Sequence, residues 1–205
     1  MEKMDLRKEF AHLYKASAKK PALVDVPAMN FLMADGAGDP NTAPEFQQAI
    51  GALYGLSYTL KFGFKVRKGI DWTVMGLEGL WWADDMSALP AGRKDEWKWT
   101  LMIMQPDVVT AAALDEARDE LKRRRPETAG LERIRLERFA EGLAVQILHV
   151  GPYAEEGPTI EKLHAFAHES GCTVAGKHHE IYMSDPRRTA PAKLKTILRH
   201  PVRKA

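Results

Sequence analysis

The sequence predicts an α+β fold in which two strand-helix-strand-strand modules lie side by side in one chain of 205 residues, with a cleft between them. Three observations predict it. Apolar residues follow the helical period in a few long segments and the two-residue period in many short ones. Taken in order, those segments run strand, helix, strand, strand, and the same order returns after a connecting stretch. In both runs the fourth element ends in proline, at Pro106 and Pro201. Module one is expected over about residues 21–105, a linking helix and extra strand over about 106–140, and module two over about 143–202.

The elements follow in chain order. From Asp5 to Lys15, Leu6, Phe10, Leu13 and Tyr14 have the spacing of a short amphipathic arm. "ALVDVPAMNFLMADG" reads as one strand, stopped by the turn residues of "DGAGDPN". Thr42, Pro44 and Glu45 offer a capping box for a helix that carries Phe46, Ile50, Leu53 and Leu60 on one side. "DWTVMGLEGLWWA" and "EWKWTLMIMQP" are the next two strands, and a helix is expected from Asp107 to Arg124. A hairpin at Glu141-Gly142 should then join "RIRLERF" to "LAVQILHV". Module two runs from that second strand through the helix "GPTIEKLHAFAHESG" to the strands "KHHEIYMSD" and "KLKTILRHPV". The first strands of the two modules are expected to pair. The helices would cover one face, and the cleft would open on the other.

The totals exclude several classes. With 45% hydrophobic and 28% charged residues, the chain has the composition of a folded protein with an ample core. A net charge of +2 gives no basic footprint for nucleic acid, and Arg123-Arg124-Arg125 reads as the charged end of a helix. No apolar run approaches the ~18 residues of a membrane span. "MEKMDLRKEF" lacks the apolar stretch of a signal peptide, so a cytoplasmic protein is expected. The single Cys172 excludes an internal disulfide.

The chemistry concentrates in two places. Along "HHEIYMS" the side chains alternate, so His178, Glu180, Tyr182 and Ser184 share one face while Ile181 and Met183 take the other. All five tryptophans, Trp72, Trp81, Trp82, Trp97 and Trp99, fall in the strands of module one. Cross-strand packing accounts for any one of them at ~0.2–1 kcal/mol a pair, whereas surplus indole suits a ligand wall. A carboxylate facing such a wall is costly to bury unpaired. It is relieved by a raised pKa, a retained water or a cationic guest, and cation–π contacts add ~0.5–2 kcal/mol per ring. A carboxylate holding a water could equally serve as a general base. Trp82, Trp97 and Trp99 are the indoles assigned to the wall, and His178 is placed to tune Glu180.

Other constellations carry less. His164 and His168 have a metal-binding spacing, but Ile160, Leu163 and Phe166 claim the buried side, so both imidazoles should face solvent. "HHE" is not HExxH, "ADGAGDP" is a turn rather than a phosphate loop, and "GLSYT" lacks the second glycine of a nucleophile elbow. Cys172 has no evident activating base. No metal and no cofactor are expected.

The blocks "KHHEIYMSDPRRTAPAKLKTILRHPV", "LEGLWWADD", "EWKWTLMIMQPD" and "ILHVGPYAEEGPTIEKLH" resemble the stand-alone GyrI-like small-molecule-binding proteins, from about Lys20 to Val202. That resemblance implies a duplicated strand-helix-strand-strand (SHS2) fold and a multidrug-type pocket for planar, lipophilic, often cationic aromatic compounds. It implies that Glu180 is the inward-facing cleft glutamate and that Tyr153 stands near the cleft mouth. Some stand-alone members are similar to hydrolases that add water across the cyclopropane of DNA-alkylating natural products, in which Glu180 and Tyr182 would carry catalysis. A third implication is a regulatory protein partner such as a topoisomerase. The roughly twenty residues before Pro21 are too few for the helix-turn-helix of the related regulators, so binding to nucleic acid is not expected. A homo-oligomer is compatible with the sequence.

Overall fold

The computed structural model describes residues 2–205. A short strand β1 (Glu2–Met4) leads into two single-turn helices, α1 (Leu6–Glu9) and α2 (Ala11–Tyr14). Then come β2 (Ala22–Val26), β3 (Met29–Ala37), the long helix α3 (Pro44–Lys68), β4 (Ile70–Trp72), β5 (Glu78–Trp82) and β6 (Lys98–Gln105). The helix α4 (Ala111–Arg124) and β7 (Arg135–Phe139) follow. The chain closes with β8 (Gly142–Val150), α5 (Gly157–Glu169), β9 (Cys172–Val174), β10 (His178–Tyr182) and β11 (Lys195–Lys204).

The helices begin and end where local chemistry allows. Proline at the start of α3 sits where no amide partner is lost, and Gly69 ends the helix in the left-handed region at φ 67°. Ala43, not the expected Thr42, stands at its cap and supplies no side-chain bond. Thr110 does cap α4, accepting from the Ala113 amide at 3.2 Å.

One antiparallel path runs β2-β8-β11-β10-β5-β6-β3-β7, with β9 added on β11. The two halves therefore meet through their second strands, β10 and β5, and not through their first. The first strands β8 and β3 lie outward, each with a foreign strand on its free edge: β2 on β8 and β7 on β3. The segment expected as one strand is broken at Pro27, which cannot continue a ladder. The expected hairpin at Glu141-Gly142 does not form, since β7 pairs β3 while β8 pairs β2 and β11.

These connections force the sheet to curl. β2 and β3 are six strand spacings apart along the path, ~29 Å if flat. Only Pro27 and Ala28 join them, a reach of ~11 Å. The link at Ala140-Glu141 makes the same demand between β7 and β8. Both edges of the sheet must approach each other, giving an inner and an outer face.

The outer face carries α3 and α5. α3 packs over β3 and β6, with the Gln105 amide donating to Ser57 Oγ at 3.0 Å. α5 packs over β8, placing Leu163 and Ala167 on Val145, Ile147 and Leu198. The inner face is filled by Phe31, Met33, Met102, Met104, Ile181 and Ile197 together with Leu13 and Tyr14 of the N-terminal arm. Among the described residues no helix is long and apolar enough to cross a membrane.

Candidate functional site

The helices cover the outer strands of each half and leave β10 and β5 between them. Register decides which side chains meet there: Glu180 lies opposite Gly79 on β5 and Leu198 on β11, and His178 lies opposite Trp81. Partners across a ladder share a face, so His178, Glu180, Tyr182, Gly79 and Trp81 all look outward between α3 and α5. The Trp81 indole donates to Tyr182 Oη at 3.2 Å, and the Tyr182 hydroxyl donates to Glu180 Oε2 at 2.8 Å. Gly79 permits this closure, because a Cβ there would come within 2.9 Å of the Trp81 nitrogen and 3.3 Å of the Tyr182 hydroxyl. Tyr153, in the turn before α5, sets its ring edge-on to Tyr182 at 5.7 Å. Glu180 keeps 16% of its side chain exposed within this aromatic frame.

A second carboxyl joins it. Glu156 stands at the cap position of α5 but makes no capping bond, and it is only 5% exposed. One ligand atom each from Glu156, His178 and Glu180 falls within 4.8 Å of the others, and these are the residues among those described that could close around a divalent cation. Burial first, then the Glu180 charge, pushes the Glu156 carboxyl up to about 9, so it holds a proton at neutral pH. Glu156 Oε1, His178 Nε2 and the Thr196 hydroxyl are buried without a well-aligned hydrogen bond within the protein, although Thr196 is near enough to Glu156 to oppose its raised pKa and His178 Nε2 lies 3.3 Å from Glu180 Oε1. Buried polar atoms are ordinarily paired, and Thr196 stands opposite Tyr182 in the ladder, so all three belong to one neighbourhood. Such an arrangement can bind a cation or hydrogen-bonding guest, and it holds a proton donor beside a carboxylate.

The expected site residues divide. Glu180, Tyr182, His178 and Tyr153 come together. Trp82 does not, because adjacent strand residues point to opposite faces and the register puts Trp81 with Glu180; Trp82 instead lies under the Lys177 ammonium at 3.3 Å from its ring centre. Trp99 shares the Trp81 face but is fully buried, with Phe46 edge-on at 5.1 Å, so it is core. Trp97 supports the frame from behind, edge-on to Trp81 at 5.7 Å with its nitrogen donating to Ala88 O at 3.2 Å. The Glu180 cluster lies on the helix-bearing face, where the sequence had suggested a cleft on the opposite one. Sequence reasoning missed Trp81, which only the register identifies, and Glu156, whose position at a helix start gave no signal. It also set His164 in solvent, whereas that ring is half-buried and bonded to His200 at 2.8 Å. A separate groove of about 310 Å³, lined by Ile147, His149, Thr159 and Lys162 among others, touches none of the Glu180 cluster.

The GyrI-like small-molecule-binding domain matches residues 19–203 of this chain. Among solved structures, an uncharacterized conserved protein from Listeria innocua is 39% identical over 98% of this chain and 100% of its own, with a TM-score of 0.89. A protein from Listeria innocua described as a hydrolase is likewise 39% identical over 98% of this chain and 100% of its own, at a TM-score of 0.87. The C-terminal domain of EcmrR, at 13% identity, 91% of this chain, 98% of its own and a TM-score of 0.56, shares the fold. No curated protein matches.

Proposed function

The chain belongs to the family of GyrI-like small-molecule-binding domains, and on that premise we propose that it takes planar, lipophilic, often cationic aromatic compounds between α3 and α5. The observation that carries this reading is the pair of Glu156 and Glu180, with carboxyl oxygens within 4.8 Å of each other and the Glu156 proton held by burial and the Glu180 charge, inside a frame of Trp81, Tyr153 and Tyr182. Two carboxyls so close disfavour a second negative charge. A cationic guest reverses that sign, while the rings supply cation–π attraction. Dye titration tests it. Glu180→Gln should weaken a phenanthridinium cation by at least about tenfold and leave a neutral analogue of the same shape nearly unaffected. Equal losses for both would remove the charge argument.

A second reading, hydrolysis of cyclopropane-containing compounds, is favoured by the same pair and by the Listeria relative described as a hydrolase. Glu180 would take a proton from water as the water oxygen bonds to the strained ring carbon. The cyclopropane C–C bond would break, and its electron pair would pass through the dienone to the carbonyl oxygen. That oxygen would take the Glu156 proton, leaving one proton on the pair as before. Tyr182 holds Glu180 in place, its own proton being committed to that carboxylate. Mass spectrometry of a spirocyclopropyl-cyclohexadienone incubated with the protein decides: multiple-turnover gain of one water, lost in Glu180→Gln and Glu156→Gln, supports hydrolysis. Recovery of unchanged compound that co-elutes with the protein leaves a binder.

A further inference from the structure

Behind Glu180 runs a line of three imidazoles hydrogen-bonded to one another, its inner ring within ion-pair distance of the carboxylate. His178 Nε2 lies 3.3 Å from Glu180 Oε1. His178 Nδ1 is 3.0 Å from His200 Nε2, and His200 Nδ1 is 2.8 Å from His164 Nε2. The first two rings are buried at 5% exposure, while His164, on α5, is half-buried and lies nearest the solvent. The His164 and His200 rings stack at 4.7 Å, and His200 meets His178 edge-on at 4.8 Å, so packing as well as hydrogen bonding fixes the line. A histidine held only for packing does not need both nitrogens spent on other histidines.

We propose that His178, His200 and His164 form a proton path joining the Glu156–Glu180 pair to the solvent side of α5, separate from the aromatic mouth through which a guest enters. The inference rests on the reading that the pair receives the guest. A guest between Tyr153 and Trp81 covers the mouth side, so a proton displaced from the pair needs another exit. The transfer balances. A proton arriving at His178 Nε2 sends the Nδ1 proton of that ring to His200 Nε2. His200 passes its own Nδ1 proton to His164 Nε2, and His164 releases one from Nδ1 to water. One proton has crossed, and all three rings have exchanged tautomer.

The surroundings suit this role. Glu180 and Tyr182 on β10 and Glu156 and Tyr153 ahead of α5 face the inner end, and His179, through the strand, acts on His200 by its charge. Burial first, then the charge of His178, holds His200 down to about 2, and the same causes lower His164. His200 therefore stays neutral, with one N–H and one lone pair, and does not trap a second proton. Transfer through it is concerted.

Stopped-flow mixing with ethidium tests the path, with dye fluorescence reporting binding and a pH indicator reporting the released proton. In the wild type both signals rise together. In His164→Ala the dye should bind at the wild-type rate while the proton lags by about tenfold or more, and imidazole added to the medium should restore it. His200→Phe should lag without rescue. A proton that keeps pace with the dye in His164→Ala overturns the path. Failure of the wild type to bind dye overturns the binding reading instead. In that event ¹⁵N spectra of the three rings still decide: joint exchange of tautomer as the carboxyl pair titrates supports the path, and fixed tautomers overturn it.

Discussion

His178 and His179 are neighbours in sequence and serve opposite faces of one strand. His178 joins the Glu180 cluster outside the curled sheet, while His179 bonds two buried carboxylates inside it, Glu78 Oε2 at 3.0 Å and Glu141 Oε2 at 2.9 Å. The inner network continues from Glu141 to Arg199, from Arg199 to Gln146 and the Leu13 carbonyl, and from Glu78 to the Tyr14 hydroxyl at 2.7 Å. Arg199, Glu78 and Glu141 are at most 1% exposed in their side chains. The alternation of a strand thus places the site on a back wall locked by ions. That wall in turn holds the N-terminal arm.

Tyr14→Phe should test the lock with little change of shape. Burial first, then the Glu78 charge, raises the Tyr14 phenol well above its ordinary value, so it stays protonated as a donor. Removing a hydrogen bond to a charged, fully buried acceptor should cost ~1.5–3 kcal/mol. Urea unfolding would show this as a lower midpoint at unchanged slope. An unchanged midpoint would mean that the arm does not depend on Glu78.

His179 makes stability depend on pH in a definite direction. Burial alone would lower its pKa, but the charge and hydrogen bond of Glu141, then Glu78, outweigh that and raise it to about 9. The folded value lies above the unfolded one of ~6.5, so the contribution is full below that pH and is lost as pH rises through about 9. The span corresponds to about 3 kcal/mol. The stability gap between wild type and His179→Gln should narrow by roughly that amount between neutral pH and pH ~10. A constant gap would show that His179 does not lose a proton on the folded protein over this range as its surroundings require.

Much of this was legible in sequence, for physical reasons that also mark where legibility ended. Alternation alone put His178, Glu180 and Tyr182 on one face, because that periodicity is local. The choice between Trp81 and Trp82 was not local, since it depends on which residue of β5 stands opposite Glu180. The curl of the sheet escaped because β2 and β3 look like one strand until each finds a different partner. Glu156 escaped because nothing about a glutamate at a helix start says whether it caps the helix or turns inward.

The two adjacent indoles make a paired test of the site. Trp81 touches Tyr182 on the Glu180 face, whereas Trp82 lies under Lys177 on the other face. Trp81→Ala should weaken a planar cation by roughly 2- to 30-fold, the range of one ring's cation–π contribution. Trp82→Ala should change affinity less than about twofold. Equal effects would mean that the guest does not sit against Trp81.

Gly36 is a packing requirement rather than a turn. It faces Trp99 across the ladder, and a Cβ there would fall 2.1 Å from the indole ring. The ring is fully buried against Phe46 and cannot withdraw without opening the core. Gly36→Ala should therefore destabilise by ~1–3 kcal/mol or more, the cost of overpacking. Thermal unfolding that matches the wild type would show that Trp99 has another place to go.

Glu156 supplies the last test, because its charge should govern both affinity and protons. Its carboxyl is raised to about 9, so at neutral pH a cationic guest meets one proton on the pair and must displace it to gain the second charge. Cation affinity should thus rise with pH up to about 9 and level off above it, by up to about tenfold per unit, with about one proton released per guest. The same raised pKa makes the site costly to fold at high pH, since stability present below the unfolded value of ~4.3 declines as pH climbs through about 9. Glu156→Gln should abolish both trends while leaving neutral guests unaffected. Calorimetry in two buffers of different ionisation heat counts the proton directly. Binding that releases none in the wild type would mean that the guest does not reach Glu156.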